Sequence, residues 1–301
     1  MGLAKNHTKQ SRRPRWLKIR LSGSHSSAEV RRLLSDLRLH TVCQSARCPN
    51  LGECWSQRTA TFLILGNVCT RHCNFCAVSK GTPYPLDRDE PNRVAEAASR
   101  LELKHVVITS VTRDDLPDGG ALHYAQTINA VRQRLPEASV EVLIPDFGGK
   151  LGSLQQVLSA RPEVLNHNVE TVPRLYPTVR PGASYGRSIA IVKQAADFGV
   201  TAKSGLILGL GETTAEVLDV MADLRKAGCQ NLTLGQYLQP TPKRLPVSRF
   251  VSPDEFAALK EKAIDMGFRH VESAPLVRSS YMAHRALAVN SHSQSPSLPQ
   301  R

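Results

Sequence analysis

The run Thr61-Phe-Leu-Ile-Leu65, followed after Gly-Asn-Val by Cys69-Thr-Arg-His-Cys73-Asn-Phe-Cys76, sets the register of the chain. The first part is a short apolar run that reads as a buried strand. The second puts three thiols just past its carboxyl end, where α/β proteins place their reactive groups. Similar near-continuous apolar runs recur at 105–111, 140–145, 164–169, 201–208 and 231–238. Strands without alternation are covered on both faces, as in parallel sheets. Amphipathic stretches separate them. Val94, Ala97, Ala98 and Leu101 share one helix face, as do Val217, Val220, Met221 and Leu224. Thr213 with Glu216 forms a capping box, and Ser252-Pro253-Asp254-Glu255 is a helix start with proline at the first position. Six strand–helix units predict an α/β fold with right-handed crossovers. Six is short of the eight that close a barrel, and an open (β/α)6 barrel and a doubly wound sheet both fit.

The rest of the composition narrows the class. A chain of 301 residues, 41% hydrophobic and 22% charged, builds a substantial core and is not disordered throughout. No apolar run is long enough to span a membrane, and no signal peptide is evident. The net charge of +13 suggests a polyanion partner, but residues 1–20 hold seven of the 39 Lys and Arg and no acid, leaving 32 against 26 in the remainder. That arm reads as a solvated basic tail; an organellar targeting peptide or a polyanion-binding arm are the other readings. Residues 291–301, rich in Ser, Pro and Gln, read as a disordered end.

Seven cysteines, six of them between Cys43 and Cys76, point to metal rather than a disulfide framework. Cys69, Cys73 and Cys76 form C-x3-C-x2-C, three thiolates able to hold three corners of an iron–sulfur cube. The fourth iron is then free for a substrate or cofactor. The alternative is half of a structural zinc site, but no second ligand pair follows at knuckle spacing. Upstream, Cys43, Cys48 and Cys54 form C-x4-C-x5-C, a second trio again one ligand short. Six thiolates overfill one zinc ion, so two clusters is the economical reading. Cys229 stands alone and reads as a small buried hydrophobe.

With both trios in view, the chain resembles the radical S-adenosylmethionine (SAM) enzymes through Cys69, Cys73 and Cys76. Within that superfamily it resembles the lipoyl synthases through the added Cys43, Cys48, Cys54 and the ending Val277-Arg-Ser-Ser-Tyr281. The resemblance runs from about residue 35 to 287, through Ala-Arg-Cys-Pro-Asn, Pro-Leu-Asp-Arg-Asp-Glu-Pro, Thr-Ser-Val-Thr-Arg-Asp-Asp-Leu-Pro-Asp-Gly-Gly, His-Asn-Val-Glu-Thr-Val and Gly-Gln-Tyr-Leu-Gln-Pro-Thr. It implies a partial (β/α)6 TIM-type barrel with N-terminal and C-terminal extensions. Its implied parts are a basic, disordered arm at 1–22, an extension carrying the second trio at 23–58, the barrel at 59–272, a segment closing on the second cluster at 273–287, and a disordered tail at 288–301.

The activity implied is insertion of two sulfur atoms, at C6 and C8, into an octanoyl chain on a lysine of a lipoyl-carrier domain. The carriers would be those of 2-oxoacid dehydrogenases and the glycine cleavage H protein. An electron donor and a cluster-rebuilding system are further implied partners. Two [4Fe-4S] clusters and SAM are the implied cofactors. In the resemblance the cluster on Cys69, Cys73 and Cys76 would bind SAM and yield a deoxyadenosyl radical. The auxiliary cluster, on Cys43, Cys48, Cys54 and a C-terminal serine, gives up its sulfur. Ser279 and Ser280 are both candidates for that serine, and the resemblance favours Ser280.

Other residues carry double readings. Asp118, Gly119 and Gly120 would face SAM or form an ordinary turn before a helix. Asn168 and Glu170 would bond the SAM ribose or cap the structure. Lys203 and Ser204 would meet a carboxylate, or the lysine would pair with a neighbouring acid. Arg278 would face the second cluster or form a salt bridge, and His72 is assigned no ligand role. Gln44, Ser45, Arg244, Ala274 and Met282 depart from the family pattern, but none removes a cluster ligand. The rival readings are a radical-SAM methylthiotransferase acting on RNA and a non-catalytic zinc module binding nucleic acid. Clusters and free thiols point to a reducing interior, with the cytoplasm as default and a mitochondrion or plastid if residues 1–20 are a transit peptide.

Overall fold

The structure, a computed structural model, describes residues 13–18, 25–57, 59–283 and 285. The expected tail at 288–301 and most of the basic arm lie outside them. Residues 13–18 of that arm are described, and there Arg15–Leu17 form a single 3₁₀ turn with Leu17 buried. Leu17 is the one buried residue of this stretch, and Arg13, Arg15, Trp16 and Lys18 are exposed.

Ten strands are present among the described residues: β1 (His40–Thr41), β2 (Thr61–Ile64), β3 (Val68–Cys69), β4 (Ser79–Lys80), β5 (His105–Ser110), β6 (Ser139–Leu143), β7 (Val164–Asn166), β8 (Thr201–Leu208), β9 (Asn231–Gln236) and β10 (His270–Ser273). Eight form one sheet in the order β1-β2-β5-β6-β7-β8-β9-β10, and β3 pairs with β4 separately. Every pair in the large sheet is parallel except β1 with β2. Neighbours in the sheet follow chain order, as in a TIM-type barrel, and the sheet is not closed. The six expected strands are β2 and β5 to β9.

Burial explains why these segments are strands and helices. β2 is buried at all four positions, and Val106, Val107 and Ile108 of β5 are buried together. The helices Glu90–Arg100 and Thr214–Lys226 turn Val94, Ala97, Ala98 and Val217, Val220, Met221, Leu224 into the core. Both expected capping boxes form, with Thr213 and Glu216 at one helix and Ser252 and Glu255 at the helix Pro253–Asp265. Each side-chain cap satisfies an amide that the helix leaves unpaired.

Four strands fall outside the expected apolar runs: the paired β3 and β4, and β1 and β10 of the large sheet. β1 has two residues, and β10, His270-Val-Glu-Ser273, lies at the sheet edge with only Val271 buried. The apolar runs also overshoot. Leu65 leaves β2 at a left-handed φ of 68°, its amide donating to Glu90 Oε2 at 2.8 Å and its carbonyl accepting from Arg113 Nη1 at 3.2 Å. This clamp ends the strand and aims the chain toward Cys69. No described helix is long and apolar enough to cross a membrane.

Candidate functional site

A cavity of about 480 Å³ opens at the carboxyl ends of the parallel strands. Its wall takes residues 109–112 after β5, 143–145 after β6, 167, 168 and 170 after β7, 205–207 on β8 and 235–240 after β9. All six clustered cysteines line it, together with Arg278, Ser279, Ser280 and Tyr281. All are free thiols.

The first trio sits on a loop tied down on several sides. Cys69 Sγ accepts from the amides of Arg71 and Thr112, each at 3.4 Å. Thr70 bonds Thr112 through backbone and hydroxyl, Asn74 reaches Thr178 and Val179, and Lys80 Nζ donates to the Cys73 carbonyl at 2.8 Å. Arg71, between two of the cysteines, forks onto Asp114 at 2.7 and 2.8 Å and reaches Asp146 at 2.6 Å. Burial pushes the Asp146 carboxyl up, but Arg71 and then Arg187 outweigh it and hold it below the usual carboxylate range. The loops after β5 and β6 are thereby bolted to the cysteine loop.

The second trio rides on the N-terminal extension. Thr41 Oγ1 accepts from the Gln44 amide and caps the short helix Val42–Ser45 that carries Cys43. Cys48 follows in a turn, its amide on the Cys43 carbonyl at 2.9 Å, and Cys54 lies on the helix Leu51–Ser56. The C-terminal segment closes over this extension. It runs beside β9, the Ala274 amide donating to the Leu234 carbonyl and the Gln236 amide to the Pro275 carbonyl. Asn50 Nδ2 then donates to the Leu276 carbonyl at 2.7 Å, and the Tyr281 hydroxyl to Glu53 at 3.1 Å. Ser279 and Ser280 are both carried to the cavity wall.

Burial pushes Cys43 and Cys76 up to about 11 and Cys54 up to about 12, and raises Cys48 and Cys73 as well. Cys48 adds to the rise at Cys43, Cys43 and Cys48 to that at Cys54, Cys69 to that at Cys73, and Cys73 and Cys69 to that at Cys76, which marks them as close neighbours. Among the described residues, no three His, Cys, Asp or Glu side chains close on one ion-sized point. All six thiols line the one cavity, more than a single zinc ion can take, and soft thiolates are the usual ligands of iron–sulfur clusters.

Between the trios lies a polar bridge. Asn168 Nδ2 donates to Glu170 Oε1 at 3.1 Å, while its buried Oδ1 has no protein partner. Gly205 leaves room there, since a Cβ on it would stand 3.1 Å from that oxygen. Burial pushes the Glu170 carboxyl up, with Arg180 and Arg278 opposing. Arg278 faces both Cys48 and Glu170, and burial lowers its guanidinium pKa. Arg180 was not singled out in the sequence, where Thr-Val-Arg-Pro carries no signal for it. Its Nη1 binds the carbonyls of Asn168 and Val169 at 2.9 and 3.2 Å, and its charge bears on Cys73 and Glu170.

Other candidates are elsewhere. Lys203 does not reach the cavity: its Nζ lies 2.8 Å from Glu141 Oε1 in a buried pair. Ser204 Oγ is held by the His167 carbonyl at 2.9 Å and the Val169 amide at 3.3 Å. Asp118 caps the helix Ala121–Arg134, accepting from the amides of Gly120 and Leu122 at 2.9 and 2.8 Å. Gly119 and Gly120 form the left-handed turn before that helix and pack toward Phe147 and Leu65. None of these five residues lines the cavity, and the polar side-chain atoms of Lys203, Ser204 and Asp118 have protein partners. Cys229 is fully buried and donates to backbone carbonyls, as a small core residue would.

The radical SAM superfamily pattern matches residues 63–224. Lipoyl synthase of Rubrobacter xylanophilus is 55% identical over 274 residues, covering 90% of this chain and 85% of that one. Lipoyl synthase of Caldicellulosiruptor saccharolyticus is 54% identical over 282 residues, covering 93% and 99%. The chain belongs to the lipoyl synthase family. It is accordingly a sulfur-inserting radical SAM enzyme, and family membership implies SAM and a [4Fe-4S] cluster. Among solved structures, methylornithine synthase superposes with a TM-score of 0.51 at 14% identity, covering 82% of this chain and 81% of that one. Streptococcus suis SuiB bound to S-adenosylmethionine gives 0.55 at 12%, over 74% of this chain and 51% of that one. At such identities the likeness speaks for the shared open barrel alone.

Proposed function

We propose that this lipoyl synthase family member inserts two sulfur atoms, at C6 and C8, into the octanoyl chain of an octanoyl-lysine on a lipoyl-carrier domain. The observation that carries this reading is the convergence of both cysteine trios and the Arg278-Ser-Ser-Tyr281 stretch on one cavity. Cys69, Cys73 and Cys76 would hold the cluster that binds SAM. Cys43, Cys48, Cys54 and Ser280 would hold the auxiliary cluster, an oxygen ligand being weaker and more exchangeable than a thiolate at a soft iron site.

When bound, these groups supply a radical able to take hydrogen from unactivated carbon, and sulfide to replace it, chemistry that no side chain here offers. The chain's own residues bind and orient. Burial alone favours the neutral thiols, and the iron of a bound cluster would hold them as thiolates. Asn168, whose buried Oδ1 has no protein partner, and Glu170 would bond a ribose or amino group of SAM. Arg180 and Arg278 offset the negative charge between the trios. Val42, Leu63, Phe75, Val78 and Leu206 give the cavity apolar wall suited to an eight-carbon chain. The reducing environment that six free thiols require makes the cytoplasm our choice of compartment.

Metal and sulfide analysis of anaerobically reconstituted protein tests the ligand assignment. Wild type should carry about eight irons with matching sulfide, and alanine replacement of either trio should leave about four. Zinc without sulfide, or loss of all iron from either variant, would overturn the two-cluster reading.

A further inference from the structure

Two exposed cations line the cavity, and two more stand on the loop that continues from its lining residues 237–240. Arg47 and Arg13 are exposed and both line the cavity, which puts them on its rim. Arg47 Nη1 reaches across to the Pro240 carbonyl at 3.2 Å. That contact begins a loop, 237–246, which crosses from the second trio to the first, where the Leu245 amide donates to the Asn74 carbonyl at 3.2 Å. The loop is braced from within, Tyr237 Oη donating to the Leu245 carbonyl at 2.7 Å and Gln239 Nε2 to the Arg244 carbonyl at 2.7 Å. It presents Lys243, exposed, and Arg244, half-buried. Among the described residues none of Arg13, Arg47, Lys243 and Arg244 has an acidic side chain in ion-pair contact. The nearby acids are engaged: Glu53 by Tyr281, and Asp114 and Asp146 by Arg71.

Lys243 and Arg244, adjacent on the braced loop and without an acidic ion-pair partner among the described residues, repel one another and persist only at some cost to stability. They raise the encounter rate of a partner of opposite sign and fix its orientation. We propose that Arg13, Arg47, Lys243 and Arg244 form the docking surface for the octanoylated carrier domain, meeting an acidic face around its modified lysine. The inference rests on the reading that octanoyl-lysine enters this cavity. A lysine arm entering the cavity brings the surrounding face of its own protein against this rim, so the rim meets that protein before anything else.

The test compares an octanoylated carrier domain with a short uncharged octanoyl-lysine peptide as substrates. Dithionite serves as reductant, so no protein electron donor takes part. The variants are K243E/R244E and R47E, each checked for unchanged iron content and thermal unfolding. For the carrier, kcat/KM should fall about tenfold or more, through KM, and wild-type kcat/KM should decline with salt; for the peptide both should hold within about twofold. Direct titration of the carrier onto cluster-loaded protein should show the same loss of affinity. Equal losses for carrier and peptide, no loss for either, or tighter binding of an RNA oligonucleotide than of the carrier would overturn the proposal. Were loaded wild type to convert neither substrate, the functional reading would fall, while the titration would still decide the docking surface.

Discussion

The carbonyl oxygen of Val277 occupies the space that a side chain on Gly235 would need. Gly235 is the fifth residue of β9, and Val277 begins the Arg-Ser-Ser-Tyr stretch. The absence of a Cβ on one strand residue therefore lets the C-terminal segment cross close enough to carry Ser279 and Ser280 to the cavity wall. Gly235→Ala should force the segment outward, because the obstructing group is backbone and cannot rotate away. A cost of about 1–3 kcal/mol is expected. Hydrogen exchange should quicken over residues 274–281, and unchanged protection there would contradict the role given to this contact.

Asn50 holds the same segment from the other side, through its 2.7 Å bond to the Leu276 carbonyl. Asn50→Ala should cost about 1 kcal/mol, seen as a lower denaturation midpoint. Tyr281→Phe loses only a bond to exposed Glu53 and should change the midpoint by less than about 0.5 kcal/mol.

The buried Lys203–Glu141 pair should behave as structure, not as site. Lys203→Met leaves the Glu141 carboxylate only His105 Nε2 at 3.6 Å and Asn166 Nδ2 at 3.5 Å and should cost about 3–5 kcal/mol, much of it recovered in K203M/E141L. SAM affinity, measured by equilibrium dialysis on whatever protein folds, should be near wild type. Asn168→Ala should do the reverse, weakening SAM by roughly tenfold with little effect on stability.

These contrasts mark what could be read in the sequence. Cysteine spacing is local, and so are the capping boxes at Thr213 and Ser252; each declares its chemistry within a few residues. The partner of Lys203 lies 62 residues away on β6, and only sheet order brings the two together. Asp118-Gly-Gly looks like a ligand loop because a tight approach to a ligand and a tight approach to Leu65 both demand glycine. Arg180 gave no signal, since an arginine before proline is unremarkable until the fold turns it toward Glu170. β10 escaped because an edge strand need not be apolar.

His167 sets a pH dependence. Its imidazole is buried, Nδ1 on the Ile144 carbonyl and Nε2 on Ser188, and burial, aided by Arg180, pulls its pKa down to about 4 from 6.5. The unfolded chain binds the proton below 6.5 while the native state refuses it until about 4. The stabilisation is therefore complete above 6.5 and lost as pH falls through that window, by up to about 3 kcal/mol. In His167→Gln the rise in stability between about pH 5 and pH 7 should be smaller than in wild type, as measured by denaturant titration. Parallel profiles would contradict this assignment.

The central claim is that both cysteine trios serve one reaction on an octanoyl chain. Anaerobically reconstituted protein, given reductant, SAM and an octanoyl-lysine peptide, is read by mass spectrometry of peptide and nucleoside together. The expected product has gained two sulfur atoms, with two deoxyadenosines released for each. Deoxyadenosine formed while the peptide gains no sulfur would contradict the claim, leaving a radical enzyme whose substrate is something else.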